Sequence, residues 1–232
     1  MDALMLLMVF SGAFVGSHFL LSHPLRRPLV GLIGEKGFLA LYSLVAFATL
    51  GGMAWAYPRT PVGTPLWNVG DALWALATIL MLGACVLLLG SLVGNPAMPG
   101  AGNAASAQAR GVYAITRHPM LWAFAIWGVV HILVYPVTRN IVVALAIILL
   151  SLFGAALQDR KKAALDPQGW PAWQQRTSYW PFAAIVQGRA RTGGFSGFGA
   201  HALGGGLLVW LLATWAHLPL AGRAAGIWRW LP

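Results

Sequence analysis

The sequence predicts an all-α, polytopic integral membrane protein of about six transmembrane helices with one interfacial helix, a single transmembrane domain over residues 1–232. Three observations predict it. Hydrophobic residues make up 59% of the chain and charged ones 9%, against roughly a quarter charged in soluble domains. Apolar runs recur at or near the ~20 residues needed to cross a bilayer core of about 30 Å. The basic residues crowd into alternate connections between those runs.

Taken in order, the runs are 3–21, 38–57, 67–93, 120–137, 141–157 and 201–220. The first lacks a basic stretch before it, so it reads as a retained span rather than a cleaved signal. Asp71, after Gly70, reads as a cap at the start of the third. The third connection, from Asn95 to Gly111, is rich in Gly, Ala, Asn and Ser and has no apolar period, so it reads as a loop, a plain linker or a cover over a site. After the fifth run, Asp159 and Arg160 mark the water boundary. Trp170, Trp173, Tyr179, Trp180 and Phe182 then suit an interfacial helix in the head-group belt. Gly204, Gly205 and Gly206 in the last run permit close approach of another helix.

Arg26, Arg27, Lys36, Arg110, Arg117, Arg160, Lys161, Lys162, Arg176, Arg189 and Arg191 fall in the first, third and fifth connections. Arg59, Arg139, Arg223 and Arg229 fall on the other side. The positive-inside rule therefore predicts both termini outside the cytoplasm. The net charge of +10 is distributed in loops, which suits topology and contacts with anionic lipid head groups, and not nucleic acid. A single cysteine, Cys85, excludes disulfides within the chain, thiolate zinc sites and iron–sulfur clusters built from this chain alone. No Gly-rich phosphate loop, Gly-x-Ser-x-Gly or His-Glu-x-x-His occurs, so hydrolase and nucleotide-binding readings gain nothing.

The stretch from Gly111 to His131 carries the functional signal. Its Arg117-His118-Pro119 sits at a membrane rim, with Pro119 in the first turn of a helix, where proline is tolerated. His131 follows about 20 Å along the axis and roughly 140° around it. His131 therefore needs a partner on another helix. Ionisable residues inside a bilayer are costly and mark function, which singles out His131 and His18 in the first run. Facing imidazoles can hold a metal or a haem iron, and each can instead bond a helix carbonyl or hydroxyl. His18 lies much nearer its helix end than His131, so a shared iron requires different helix boundaries, or the pairing fails. His23 reads as solvated beside Arg26 and Arg27, and His201 and His217 as interfacial anchors.

Several motifs in this order resemble the NnrU family of bacterial membrane proteins: Ser17-His18, Gly34-Glu35-x-Gly37-Phe38, Leu41-Tyr42-Ser43, Gly111-x-Tyr113-x-x-x-Arg117-His118-Pro119, Trp127, His131, Gly154-Ala155 and Asp159-Arg160. The resemblance covers about residues 10–190, leaving 201–220 as an additional span. That family is associated with denitrification and nitric oxide metabolism, and is similar to the plant zeta-carotene isomerases, haem b proteins with two histidine ligands. Carried over, the resemblance implies haem b between His18 and His131, with Tyr113, Arg117, His118 and Trp127 near the site. It also implies the bacterial inner membrane as location. The isomerases have a further histidine in the next helix, whereas 141–150 here has none. A more distant resemblance, to the isoprenylcysteine carboxyl methyltransferases, implies S-adenosylmethionine at the cytoplasmic face; it rests on Gly-x-Tyr-x-x-x-Arg-His-Pro, Asp159-Arg160 and Tyr179-Trp180-Pro181. The expected function is a bis-histidine haem protein with a redox or electron-transfer role. A membrane enzyme, either a polyene isomerase or a methyltransferase, is the alternative, and an assembly partner of a respiratory or denitrification complex is another.

Overall fold

A computed structural model describes residues 1–98 and 104–231. Its helices are α1 (Ala3–Ser22), α2 (Arg26–Ala56), α3 (Asp71–Gly90), α4 (Val112–Ile115), α5 (Pro119–Val134), α6 (Thr138–Leu165), α7 (Gly169–Arg176), α8 (Ala183–Val186), α9 (Gly194–Phe198) and α10 (Ala200–Ala221). The described residues form no strand. The chain is a polytopic membrane protein: five helices are long and apolar enough to cross a membrane, and Pro119–Val134 is a shorter apolar one. At 1.5 Å per residue α5 spans about 24 Å. Leu32, Phe47, Ile79 and Leu220 stand exposed on the outside of the bundle, a surface suited to lipid and not to water.

Several boundaries differ from the hydropathy reading. The second span begins at Arg26 rather than 38 and is broken at Gly34, whose φ of 71° is non-helical; only glycine takes that conformation without strain. The break lets Arg26 reach Glu35 at 2.5 Å. Asp71 does not cap α3, since Gly70 holds that position without a side-chain bond; its carboxylate instead pairs with Arg229 at 2.9 Å. α6 runs well past 157, to Leu165, because its charged last turns pack against protein as well as facing water.

The helices pack in the order α2, α1, α6, α5, α3, α10, each principally on its neighbours in that row. α1 and α5 therefore lie on opposite sides of α6. α10 packs on α3 through Gly206, where an added Cβ would lie 2.9 Å from the Val86 Cα and 3.0 Å from its N. Gly206→Val is accordingly expected to push the two helices apart. The cost should be on the order of 1–3 kcal/mol, read as a lower thermal midpoint in detergent; an unchanged midpoint would refute this packing.

Residues after α6 form a folded cap on the end of the bundle, which contains α7. Trp170 and Trp173 of α7 are 1% and 0% exposed, packed with Val112, Tyr113 and Ala123 in one apolar cluster. The aromatic crowding thus marks a core, and only Trp180 and Phe182 of the group are exposed. The third connection is tied to this cap where it is described: Arg176 donates to the carbonyls of Ala104, Ala105 and Ala107, and Lys162 to that of Pro96. The centre of that loop, 99–103, lies outside the described residues.

Candidate functional site

The polar residues of the Gly111–His131 stretch divide between two places. At the basic end of the bundle, Gly111 has φ 56° and its backbone N–H donates to the Thr192 carbonyl. A Cβ there would meet the Gly197 oxygen at 2.4 Å, so only glycine lets these two backbones touch. Tyr113 donates to the Val93 carbonyl at 2.9 Å, and burial pushes its phenol up from the usual range. Burial likewise raises the Tyr179 phenol, with the nearby Asp159 charge adding to it.

Asp159 gathers this end together. Arg117 donates through Nε to both carboxylate oxygens at 2.9 Å and through a terminal nitrogen at 2.5 Å. His118 Nε2 lies 2.9 Å from Oδ1, and Trp170 Nε1 donates to the same oxygen at 3.2 Å. The His118 residue is 2% exposed and Asp159 8%, so neither sits at a solvated rim as the sequence suggested. The motif's Arg and His hold an acid from α6 and a tryptophan from α7. A carboxylate accepts about four hydrogen bonds, and these donors fill it. This is a structural clamp joining α5, α6 and α7, and it occupies the acid that the methyltransferase resemblance places in its cofactor-binding half.

The second place is a cleft of ≈ 620 Å³ lined by α3, α5 and α10, with α3 as its floor. Trp127, His131, Tyr135, Arg139, His217 and Arg223 line it, together with Cys85 and many apolar side chains. None of the described lining residues is an acid. His131 and His217 face one another across the cleft, their ring centres 6.1 Å apart and their planes at 35°. Each ring has its Nδ1 bonded to the carbonyl four residues earlier, His131 to Trp127 at 2.8 Å and His217 to Ala213 at 2.7 Å. That bond fixes the tautomer with Nε2 as the free acceptor. Trp127 stacks on His131 at 4.1 Å.

The α5 end is closed without loss of backbone bonds. The Asn140 side chain donates to the carbonyls of His131 at 2.8 Å and Tyr135 at 2.7 Å; these carbonyls also accept the backbone N–H groups of Tyr135 and Val137, so Asn140 adds a second bond to each and ties the start of α6 to the end of α5. Beside it Arg139 reaches the Thr60 carbonyl and stacks on Tyr57 at 4.8 Å. Its Nε is buried with no partner. Arg223 lies over Tyr135 at 4.8 Å.

His18 is elsewhere. Its ring contacts Phe14 at 4.4 Å and Tyr42 at 5.3 Å, its Nδ1 bonds the Phe14 carbonyl, and it does not line the cleft. α1 ends at Ser22, so the first helix does not continue past Pro24, and α5 begins at Pro119. His18 lies about 6 Å from the basic end of its helix and His131 about 18 Å from that end of its own. The structure brings His131 together with His217, whose place near a helix end in the sequence suggests an interfacial anchor. His201 remains exposed.

A family model described as NnrU protein matches residues 4–225. The chain belongs to the NnrU family. The match takes in α10, so the last span is part of the family's extent and not an addition to it. This NnrU protein is also similar to two plant proteins, each named 15-cis-zeta-carotene isomerase, chloroplastic. One is from Zea mays, 36% identical over 83 residues, which is 35% of this chain and 22% of the relative. The other is from Arabidopsis thaliana, 37% identical over 79 residues, 34% of this chain and 22% of the relative. The similarity thus spans about a fifth of the length of these relatives. No solved structure matches the NnrU protein.

Proposed function

We propose that this NnrU protein binds haem b in the α3–α5–α10 cleft, where the imidazoles of His131 and His217 would hold it. It lies in the bacterial inner membrane with the basic end cytoplasmic and both termini periplasmic. The observation that carries the reading is the imidazole pair at 6.1 Å. Two rings sharing one metal at nitrogen distances near 2 Å place their centres about 6 Å apart. The donor set fits a haem in other respects. The walls are apolar, no acid competes, and Arg139 offers an unpartnered buried Nε at one end, where a carboxylate would complete it. Of the two histidines that the family resemblance implies, His131 fits this assignment. His18 does not share the cleft.

When bound, haem would supply one-electron redox chemistry, suited to electron transfer or sensing in denitrification and nitric oxide metabolism. The chain's own residues do the rest. The Trp127 and Ala213 carbonyls hold each imidazole as the Nε2 acceptor, the apolar walls exclude water, and Arg139 and Arg223 would take negative charge beside the end of α5. Protein purified after expression with ample haem should show a split, low-spin α band on reduction. A colourless preparation would overturn the proposal.

A second reading is a haem-dependent isomerase of a polyene. The named activity of the two plant relatives and the apolar, one-sided cleft favour it. Conversion of a cis-carotene by the reduced protein in the dark supports this reading, and a full haem complement with no conversion removes it.

A further inference from the structure

At the opposite end of the bundle, between α1, α2 and α6, lies an open recess of ≈ 560 Å³ lined by Ser22, His23, Arg26, Arg27, Val30, Leu157, Arg160 and Lys161. Four of these are basic, and none of the described residues lining the recess is an acid. Glu35 pairs with Arg26 and its charge also reaches Lys161; among the described ion pairs none involves Arg27, Arg160 or Lys161. Like charges so gathered repel, and their cost falls when a multivalent anion sits among them. His23 carries the mark of that repulsion. Burial lowers its pKa, and the Lys161 charge lowers it further. Below the cations the recess is floored by Val30 and Leu157, and the neighbouring Leu32 of α2 is 80% exposed. Charge at the mouth over apolar side chains matches one kind of ligand.

We infer that this recess is a binding site for the phosphate of an anionic phospholipid, whose acyl chains run down the apolar faces of α2 and α6. Basic pockets between spans are the usual seat of acidic lipid head groups. The start of α2 carries no side-chain cap, leaving the backbone N–H groups of Arg26 and Arg27 for the same phosphate. The site is independent of the haem cleft, so it stands whether or not haem is bound.

Native mass spectrometry of the full chain, purified in mild detergent and equilibrated with equal phosphatidylglycerol and phosphatidylcholine, tests it. The wild type should retain phosphatidylglycerol in at least tenfold preference. An Arg27→Ala, Arg160→Ala, Lys161→Ala variant should lose that preference, and Arg191→Ala, whose arginine lies in a loop outside the recess, should keep it. A charge-preserving Arg27→Lys, Arg160→Lys variant controls for folding and should bind as the wild type does. Equal retention of the two lipids by the wild type, or undiminished preference in the alanine variant, would overturn the inference. A parallel melt in millimolar inorganic phosphate separates the sources. Stabilisation by phosphate equal to that by phosphatidylglycerol would remove the lipid as the occupant.

Discussion

Asp159→Ala should destabilise the protein by about 3–5 kcal/mol, the cost of leaving buried partners of a broken ion pair uncompensated. Arg117 and Asp159 side chains are each 11% exposed and the His118 side chain 1%, so water cannot take over the lost role. Three elements would loosen together, because the carboxylate comes from α6 and its donors from the start of α5 and from α7. His118 already has a buried Nδ1 without a partner, and a second orphan on the same ring adds to the penalty. Asp159→Asn should fall between the two, keeping the shape and losing the charge. The measurement is a thermal melt in detergent, together with protease sensitivity of the segment from Asp166 to Arg191. A melt within a degree of the wild type would show that the clamp contributes little.

His131→Ala should reduce bound haem at least tenfold while the protein still folds. The side chain is half-buried against a cleft, and its removal enlarges an existing space without orphaning a charge. Its backbone carbonyl, which Asn140 caps, is untouched by the substitution. An Arg139→Ala variant should lose less haem, since that residue would contribute an ion pair and not an iron bond. The check is the pyridine haemochrome content of monodisperse protein. Haem retained in full by His131→Ala would remove the cleft as the site under any choice of second ligand.

The membrane class and the spans were legible in the chain because lipid imposes a length and a composition. The folded cap was not. Trp170 and Trp173 beside lysines and arginines satisfy the rule for an interfacial belt equally well, and only the packing of α7 on Tyr113 and Val112 makes them core. Asp159-Arg160 likewise looked like a water boundary. Nothing local in the sequence states that Arg117 and His118, forty residues earlier, fold back onto that acid.

The pairing of His131 was more legible than the reading made of it. The fourth and sixth spans run in the same direction through the membrane. His131 lies three residues before the end of α5 and His217 four before the end of α10, which puts both about 5 Å from the same end of the bundle. Depth alone therefore matched His217 to His131 and set His18 apart. The proximity of His217 to a helix end suggested an anchor, and the family resemblance pointed to His18. The short α5, with Tyr135 to Val137 folded inward, then brings that end inside the protein, where the ring faces a cleft and not the head groups.

The central claim is tested most directly by the ferric and reduced absorption spectra of His18→Ala beside His217→Ala. The account predicts that His18→Ala keeps its haem and its low-spin spectrum. His217→Ala should lose most of its haem and leave any remainder high-spin, with His131 as the sole axial ligand. Loss of the low-spin spectrum in His18→Ala with its full retention in His217→Ala would contradict the account.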